Sequence, residues 1–431
     1  MASTYLTKNL STATDLKTWT WSAWIKRSKL STEQGLFSGD AASTYTTSFF
    51  FDTSDRLQYK DVSAGSTRQQ LITNRVFRDT SSWYNIQIVY NSTEGASSNR
   101  LKFYVNGSQE TSFSTSTYPS SNETVQINSS DPTGIGKQPQ STSNNFDGSM
   151  SHIHFIDGTA YDASYFGSTD SVTGHWKINT SPSVTYGTNG FFILKDGNSV
   201  TDQSGNTNNF TVSGGTLTNT EDSPSNVFAT WNPLGNSNGG LLPTFSNGNT
   251  TSDNASGTTY SNSKSTFGVS KGKYYCEAKV SLSSAQGWFG LAPDDDYAEV
   301  ANTYLYENSG TFGGSAYGNA YVTNDILQLA FDANTGTVWF GINGTWQNSA
   351  TQTEIENGTT ANSAVTGLDV TKYWHIANKG FSSAIYYANF GNGYFGTTAV
   401  ASAGTNASGN GIFEYDVPTG FTALSTKGLN L

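Results

Sequence analysis

Hydrophobic and polar residues alternate with a period of two through much of the chain, most clearly between Asn324 and Asn348. In this stretch Leu327, Leu329 and Phe331 alternate with polar or small neighbours, which is the period of a half-buried β-strand. The segment Val338–Ile342 repeats the alternation after a polar turn, and an Asn-Gly pair follows it. Asn-Gly beside alternating strands is a strong hairpin signal. The stretch therefore predicts an antiparallel hairpin with one buried face.

A looser copy of this phrase lies much earlier in the chain. Residues 83–89 read WYNIQIV and residues 101–107 read LKFYVNG, which again gives strand, polar turn, strand and Asn-Gly. Two such modules far apart predict two β-domains of related architecture. Further strands are predicted at Thr18–Lys26, Phe146–Asp157, Gly190–Lys195, Lys271–Val280, Gly287–Ala292, Lys372–Ala377 and Ala384–Phe390, and a short helical turn at Asp162–Phe166. Short strands at this spacing, without helical periodicity, are typical of β-sandwiches.

The strand at Lys271–Val280 alternates strictly enough to assign a direction to each side chain. Tyr274 and Cys276 are predicted to face the core, whereas Tyr275 and Glu277 are predicted to face outward. The cysteine then acts as a small apolar core side chain. It is the single cysteine of the chain, which excludes an internal disulfide framework, so stability must come from packing.

Composition supports an all-β, turn-rich protein. The 431 residues are 35% hydrophobic and only 13% charged, and most of the polarity comes from Ser, Thr, Asn and Gly. Such a chain is poor in helix formers and long enough for two or three domains. The net charge of −11 and the absence of any basic run exclude nucleic acid as a partner. No stretch has the apolar length of a signal peptide or a membrane span, so folding in a cytoplasm without membrane insertion is expected.

Two resemblances to known families divide the chain. The order WSAWIK, LKFYVNG and FDGSMSHIHFIDG resembles that of laminin-G-like, concanavalin A-type jelly rolls over residues 4–167. KGKYYCEAKV, GWFGLA, KYWHIA and AIYYANF follow in an order similar to that of a SPRY domain, with GKYYCE in place of the usual GKWYWE. The fold class that this implies is all-β, with tandem β-sandwiches. The implied domains are a jelly roll at 1–168, a connecting segment with short strands at 169–222 and a SPRY-like sandwich with a C-terminal tail at 223–431.

A third resemblance concerns function. SPSNVFATWNPL at 223–234 and the tail FEYDVPTGFTALSTKGLNL at 413–431 resemble segments of structural proteins of tailed bacteriophages of marine bacteria. This implies a non-enzymatic virion protein, such as a tail fibre, appendage or capsid decoration, assembled in the host cytoplasm. Its implied partners are other virion proteins, further copies of itself and a glycan or protein of the host surface. A bacterial surface adhesin or lectin is the first alternative, and a polysaccharide-degrading enzyme the second.

Glycoside hydrolysis needs two carboxylates on one face, one of which is kept protonated. Glu354 with Glu356 and Glu414 with Asp416 have the spacing that places both groups on one side of a strand. Each pair lies next to turn residues, however, which favours a solvated strand edge. The Glu-x-Asp-x-Glu strand motif of the sandwich-fold glucanases is absent. We therefore expect no enzymatic activity.

Metal ligation has three candidate positions. His152 and His154 share a predicted strand face and would supply half of a site, but no third ligand lies near them in sequence, which favours two exposed imidazoles. The Asp294-Asp295-Asp296 run is either a solvated charge cluster or a calcium site. Asp202, Ser204 and Asn206 also offer oxygens at alternate positions. No cofactor is expected beyond this option of a structural calcium ion.

Recognition is then left to surface aromatic residues on loops. Sandwich strands are committed to the core, so binding is expected at the loops of the second sandwich, at 293–324 and 348–372. Flat aromatic rings can stack on sugars or on a protein partner at small entropic cost. The predicted binding residues are Tyr304, Tyr306 and Tyr317, and the wider set of candidate exposed aromatics adds Trp288, Tyr297 and Tyr321.

Overall fold

The structure of the protein is a computed structural model that describes residues 4–137, 144–195, 200–235, 242–254, 260–282, 286–295 and 304–430. It divides into two compact units, Met1–Asn219 and Thr220–Leu431. Each unit has its own hydrophobic core. Almost all of the regular structure is β-sheet, arranged in each unit as an eight-stranded and a six-stranded sheet. The predicted all-β class of tandem sandwiches is confirmed.

In the first unit, the part of the chain that the structure describes forms sixteen strands and two short 3₁₀ turns, at Ser97–Asn99 and Ala163–Tyr165. One sheet has the order β10-β6-β5-β4-β3-β11-β1-β16 and the other β15-β12-β2-β7-β8-β9, while β13 and β14 form a separate hairpin. The strands are β1 (Tyr5–Asn9), β2 (Thr18–Arg27), β3 (Gln34–Ala42), β4 (Tyr45–Phe51), β5 (Arg56–Ser63), β6 (Ser66–Val76), β7 (Tyr84–Asn91), β8 (Leu101–Val105), β9 (Ser108–Glu110), β10 (Phe113–Thr117), β11 (Pro132–Ile135), β12 (Gly148–Asp157), β13 (Gly167–Thr169), β14 (Trp176–Ile178), β15 (Phe191–Ile193) and β16 (Thr211–Ser213).

Aromatic side chains of β2 fill the core between the two sheets. Trp19 stacks on Tyr90 with ring centroids 5.1 Å apart, and Trp21 stacks on Phe37 at 5.7 Å. Both tryptophans are fully buried. Large aromatic rings remove much apolar surface from water, so they contribute strongly to the stability of a sandwich without disulfides.

The outer face of the six-stranded sheet is also covered. The polar side chain of Thr20 on β2 is fully buried, and its hydroxyl donates to the carbonyl oxygen of Thr159 at 2.9 Å. Gln87 on β7 likewise donates from Nε2 to the carbonyl oxygen of Tyr161 at 2.7 Å. The chain that follows β12 therefore returns across this sheet as an additional layer.

Residues 169–222 belong almost entirely to the first compact unit, although the sequence suggested a connecting segment there. β15 pairs with β12, and β16 pairs with β1 at the far edge of the other sheet. The buried rings of Phe191 and Phe210 meet with centroids 4.7 Å apart in the core. The segment thus supplies one edge strand to each sheet.

The described residues of the second unit form a further sixteen strands, the α-helix given below and a 3₁₀ turn at Gly428–Asn430. One sheet has the order β17-β18-β29-β20-β25-β26-β27 with β32 alongside β20, the other has the order β19-β28-β21-β22-β23-β24, and β30 pairs with β31. The elements are β17 (Thr244–Ser246), β18 (Thr251–Asn254), β19 (Ser261–Val269), β20 (Lys273–Leu282), β21 (Gln286–Pro293), β22 (Leu305–Glu307), β23 (Thr311–Phe312), β24 (Ser315–Ala316), β25 (Ile326–Asp332), β26 (Thr337–Ile342), β27 (Thr345–Trp346), α1 (Gln352–Glu356), β28 (Trp374–Phe381), β29 (Ala384–Asn389), β30 (Tyr394–Phe395), β31 (Thr398–Ala399) and β32 (Thr422–Ala423).

The predicted hairpin is formed by β25 and β26, with Leu329 opposite Phe340. Asn343 and Gly344 adopt φ angles of +49° and +82° after β26, a left-handed pair that Asn and Gly accept at low cost. Leu329 and Phe331 are fully buried in the sandwich core, as predicted.

The prediction that this hairpin is buried on one face only is wrong. Trp339, on its outer face, is also fully buried. Helix α1 and the C-terminal tail pack over this face of the sheet, and the tail residue Phe421 lies edge-on to Trp339 at 6.5 Å. The second layer consists of Phe228, Tyr275, Ala330, Trp339, Trp346, Ala350, Ile355, Phe413, Val417, Phe421 and Ala423.

The same layer changes the environment of Glu277 on β20. Its side chain lies on the outer face, as predicted, but it is fully buried under the tail. The carboxylate accepts hydrogen bonds from the backbone N–H of Glu414 at 2.8 Å, from that of Tyr415 at 2.9 Å and from the hydroxyl of Tyr275 at 2.9 Å. Burial nevertheless raises the pKa of Glu277 to about 7, because removal from water disfavours the charged form more than these donors favour it.

This pKa predicts a pH dependence of stability. The pKa of Glu277 rises from 4.5 in the unfolded chain to about 7 in the fold. The stability that the folded protein gains from holding this proton is therefore fully present below pH 4.5 and is lost as the pH rises through 7. A shift of this size corresponds to about 3 kcal/mol. Urea unfolding at about pH 5 and about pH 8 should therefore show a larger loss of stability in the wild type than in Glu277→Gln, which cannot ionise. Equal losses would contradict the assignment, because all other groups titrate alike in both proteins.

Candidate functional site

The first carboxylate pair proposed from the sequence does not lie on a strand. Glu354 and Glu356 lie on helix α1, which begins at the N-cap Thr351 with a reciprocal capping box. Residues two apart on a helix point in different directions, so the pair cannot act across one substrate. Glu356 is further occupied by the backbone N–H of Thr419, which donates to its Oε1 at 2.8 Å. The expectation of a solvated strand edge is wrong, because the capping box makes this segment helical.

The second pair, Glu414 and Asp416, lies in irregular chain of the tail. Glu414 accepts a hydrogen bond from the backbone N–H of Ala401 at 2.7 Å, and Asp416 accepts one from that of Thr405 at 2.6 Å. The hydrogen bonds from Thr405 hold the pKa of Asp416 below its usual value, which is unsuitable for a general acid. Glu277 has a raised pKa but is enclosed by the tail. None of these carboxyl groups is placed for glycoside hydrolysis.

The two histidines of β12 are buried rather than exposed. The strand is irregular between Ser151 and His154, and His152 has a φ of +48°. The ring of His154 stacks on Phe192 with centroids 3.9 Å apart, and its Nδ1 is 2.9 Å from the hydroxyl of Tyr186. Burial lowers the pKa of His154 well below its usual value. The expectation of exposed imidazoles is wrong because the chain after β12 covers this face.

Within the described ranges, no group of three or more His, Cys, Asp or Glu is placed to hold a metal ion. The Oδ1 atom of Asp202 accepts from the backbone N–H of Phe192 at 2.8 Å, and its Oδ2 from that of Asn208 at 2.8 Å. Ser204 donates to the same carboxylate from its hydroxyl at 2.8 Å. The carboxylate of Asp202 is thus occupied by hydrogen-bond donors of the protein itself, which fix the loop that contains it. Asp296 lies outside the described residues, and the structural calcium ion stays a prediction.

Two of the three predicted binding tyrosines pack inward. Tyr306 on β22 is fully buried and stacks on Phe340 with centroids 5.4 Å apart, and its hydroxyl donates to the carbonyl oxygen of Asn319. Tyr317 is half-buried beside Tyr306 at 5.4 Å, and burial raises its pKa to about 12. The interpretation of Tyr306 as an exposed loop residue is wrong, because this chain continues as a strand whose side chain faces the core.

The other candidate aromatics divide in the same way. Trp288 and Tyr321 are buried, at 4% and 1% exposure, and so are not available at the surface. Tyr297 lies outside the described residues. Tyr304 is half-exposed and meets the indole of Trp374 edge-on at 5.0 Å. Tyr304, like Tyr317, is therefore partly exposed while its ring packs against the core.

Tyr304 is close to a group of residues at the start of β28, and we refer to Tyr304, Asp369, Lys372, Tyr373 and Trp374 as the Tyr373 end. Tyr373 is 54% exposed, the highest value for an aromatic residue in the described part of the chain. Two hydrogen bonds fix its backbone surroundings. The N–H of Asp294 donates to the carbonyl oxygen of Tyr373 at 2.8 Å, and Trp374 Nε1 donates to that of Asp369 at 2.9 Å.

Charged groups of both signs lie near Tyr304 and next to Tyr373 in sequence. Lys372 Nζ donates to Asp295 Oδ2 at 2.7 Å. This contact lowers the pKa of Asp295 and raises that of Lys372, which also lies near enough to Asp369 and Tyr304 to interact with their charges. Asp369 is itself oriented by the hydroxyl of Thr371 at 2.6 Å. Rings with adjacent carboxylate and ammonium groups can stack on a sugar and hydrogen-bond its hydroxyls.

Sequence reasoning did not select Tyr373 or Lys372, because KYWHIA was assigned to a strand in full. The structure begins β28 only at Trp374. The segment DVTKY at 369–373 therefore forms the approach to the strand, and a tyrosine that directly precedes a buried tryptophan there is free to be exposed. The Asp-x-Thr pattern, in which Asp369 accepts from the backbone N–H of Thr371 at 3.0 Å, is the turn signal that could have located it.

Comparison with known proteins gives one family match. The sequence model of the Concanavalin A-like lectin/glucanases superfamily matches residues 2–164, which lie in the first unit. The first unit thus has a concanavalin A-like, lectin-type fold, which is consistent with a binding role. A search of curated proteins finds no match.

Solved structures with similar folds include three of different kinds. A putative carbohydrate binding protein from Bacteroides ovatus is 14% identical, with 49% of this chain and 56% of that chain covered at a TM-score of 0.30. The heptameric SAP-like pentraxin from Limulus polyphemus is 14% identical, and the match covers 41% of this chain and 85% of that chain at a TM-score of 0.27. The SPRY domain of human HERC1 is 12% identical, and the match covers 31% of this chain and 85% of that chain at a TM-score of 0.25.

Proposed function

We propose that this protein is a non-enzymatic structural protein of a tailed-phage virion, a tail fibre, appendage or capsid decoration, that binds a glycan of the host surface. The observation that carries the binding role is the Tyr373 end. There Tyr373, the most exposed aromatic residue of the described chain, lies in sequence between Lys372, which pairs with Asp295, and Trp374, against which Tyr304 packs.

A glycan is the ligand that this chemistry favours. The apolar face of a pyranose ring matches an aromatic ring in size, and stacking needs little ordering of a side chain with two rotatable bonds. Sugar hydroxyls both donate and accept hydrogen bonds, so they match the carboxylates of Asp295 and Asp369 and the ammonium group of Lys372. The lectin-type fold of the first unit supports the same role.

Binding without hydrolysis is supported by the carboxyl groups. The candidate pairs are separated on a helix or engaged by backbone N–H groups, and Glu277, which titrates near neutral pH, is enclosed by the tail. Hydrolysis of a glycosidic bond needs an accessible acid and a second carboxylate a few ångströms away.

The virion location rests on the phage-like segments at 223–234 and 413–431. Both segments pack within the second unit, because Phe228 and Phe413 belong to one buried cluster. The residues that resemble phage proteins are therefore part of the packed structure of this unit. Partners in such a particle are other virion proteins and further copies of the chain, and assembly takes place in the host cytoplasm.

Replacement of Tyr373 tests the binding role. We expect Tyr373→Ala to weaken binding to purified host surface polysaccharide by about tenfold, which corresponds to about 1.4 kcal/mol and is typical of a lost aromatic contact. Tyr45→Ala is the matched control, because Tyr45 is also an exposed tyrosine, at 41%, but lies in the first unit. Biolayer interferometry on immobilised polysaccharide gives both values.

Phage particles that carry the same variants test the location. Tyr373→Ala particles should assemble normally and adsorb poorly to host cells, whereas Tyr45→Ala particles should adsorb as the wild type does. Normal adsorption by Tyr373→Ala particles would contradict the recognition role. Absence of the protein from purified particles would contradict the virion assignment.

A further inference from the structure

We propose that the first unit contains a second carbohydrate site, formed by Tyr161, Asp162 and Tyr165, that takes a neutral pyranose residue. This site is independent of the Tyr373 end, since it lies in the other compact unit. It is built by the covering segment that follows β12, outside the strands that form the sandwich core.

Two tyrosine rings form the surface of the site. The ring centroids of Tyr161 and Tyr165 are 4.5 Å apart, and their planes are inclined by 57°. Tyr165 is 40% exposed and Tyr161 is half-exposed. Two inclined rings make a shallow apolar corner that can contact one face and one edge of a single sugar ring.

Tyr161 is anchored at three points, two of which are on the sheet. Its backbone N–H donates to the hydroxyl of Thr20 at 2.9 Å, and its carbonyl oxygen accepts from Gln87 Nε2 at 2.7 Å. Its phenolic oxygen accepts from the backbone N–H of Thr185 at 3.1 Å. The ring is therefore fixed before any ligand arrives, so binding loses little side-chain entropy.

Tyr165 is fixed by the turn that contains it. Asp162 caps the 3₁₀ turn Ala163–Tyr165 by accepting from the backbone N–H of Ser164 at 2.9 Å. Asn179 donates from Nδ2 to the carbonyl oxygen of Tyr165 at 2.9 Å. The two tyrosines thus flank one capped turn, and their separation is set by its backbone.

The carboxylate of Asp162 specifies the ligand further. The hydrogen bonds from Ser164 use Oδ1 alone, and Asp162 is exposed. Its charge also acts on this surface, since together with burial it raises the pKa of Tyr104 on β8. A carboxylate accepts hydrogen bonds from sugar hydroxyls and repels anionic sugars, so the site favours a neutral pyranose.

Covering the sheet does not explain the exposed ring. Phe166, the next residue, already fills the space beneath the turn at 2% exposure and contacts His154 at 5.3 Å. Trp176 of β14 packs over Gly107 and Gly167 and donates from Nε1 to Asn85 at 3.2 Å. The ring of Tyr165 lies outside this packed layer.

The experiment uses the full chain with Tyr373→Ala, so that binding by the second unit is weakened by about tenfold and the first unit can be measured beside it. Calorimetric titration with cellohexaose, maltohexaose and mannohexaose should show saturable binding of at least one of these neutral probes, and trigalacturonic acid should not bind. Adding Tyr165→Ala should weaken that binding by about tenfold, and Asp162→Asn by about threefold. Adding Tyr45→Ala, a tyrosine of the same exposure (41% against 40%), should change it by less than about twofold.

Each other outcome has a distinct meaning. Binding of none of the neutral probes in the Tyr373→Ala chain, or equal affinity with and without Tyr165→Ala, would overturn this site and leave the Tyr373 end untouched. If Tyr165→Ala lowers the melting temperature, Tyr165→Leu replaces it. This variant keeps an apolar side chain but loses the flat ring, so the site predicts the same weakening, and unchanged affinity would overturn stacking as the binding mode.

Discussion

Phe331→Ala should lower the unfolding free energy of the second unit by about 3–5 kcal/mol, the range for a buried aromatic residue replaced by alanine. Phe331 is fully buried at the centre of the core, where β25 lies between β20 and β26. Its neighbours across the sheet are Tyr274 and Val338. These strands belong to a continuous sheet, so the cavity cannot close by a local collapse.

Urea unfolding of the full chain, followed by tryptophan fluorescence, measures this loss. Tyr373→Ala is the control in the same unit, because its exposed ring should contribute less than about 1 kcal/mol. If Phe331→Ala costs no more than Tyr373→Ala, the assignment of this face to the core is contradicted.

Asp157→Ala should destabilise the first unit by about 3–5 kcal/mol, because it removes the acceptor of several buried donors at once. The carboxylate of Asp157, at the end of β12, accepts from the backbone N–H groups of Thr14 at 2.7 Å, Asp15 at 3.1 Å and Asn189 at 3.0 Å, and from Asn128 Nδ2 at 2.7 Å. Three separate loops therefore depend on one side chain.

Asp79→Ala is the matched control for this substitution. Its carboxylate also accepts backbone and hydroxyl hydrogen bonds, but within one exposed turn at Ser81 and Ser82. Its loss should cost about 1 kcal/mol. Equal unfolding free energies for the two variants would show that the Asp157 network does not stabilise the loops.

The strands of both sandwiches could be predicted because a period of two is a local property of the sequence. Leu329 and Phe331 face the core as their alternation requires, and Asp162 caps the turn that follows it. Cys276 is likewise buried on the inward face of β20.

Burial of the outer faces could not be predicted, because it depends on distant chain. Glu277 lies on the face that alternation assigns to solvent, yet the tail at 413–424 covers it. His154 is covered in the same way by the chain that ends in β15. Alternation with a period of two identifies the side of the sheet on which a side chain lies. It does not show whether a later segment of the chain covers that side.

The candidate site was predicted in part for the same reason. Tyr306 and Tyr317 were assigned to the loop at 293–324, but Tyr306 lies on the short strand β22 and both rings turn toward Phe340. Tyr304 precedes β22 and keeps a half-exposed ring. The exposure of Tyr373 follows from where β28 begins, which alternation does not determine to a single residue.

Binding without cleavage is the central claim, and one measurement tests both parts. The wild-type chain is incubated with purified host surface polysaccharide, and complex formation and the release of reducing ends are followed in the same samples. We predict saturable binding that is weakened by Tyr373→Ala, with no more reducing ends than in polysaccharide alone. Reducing ends that accumulate with time, or the absence of any complex, would contradict the account.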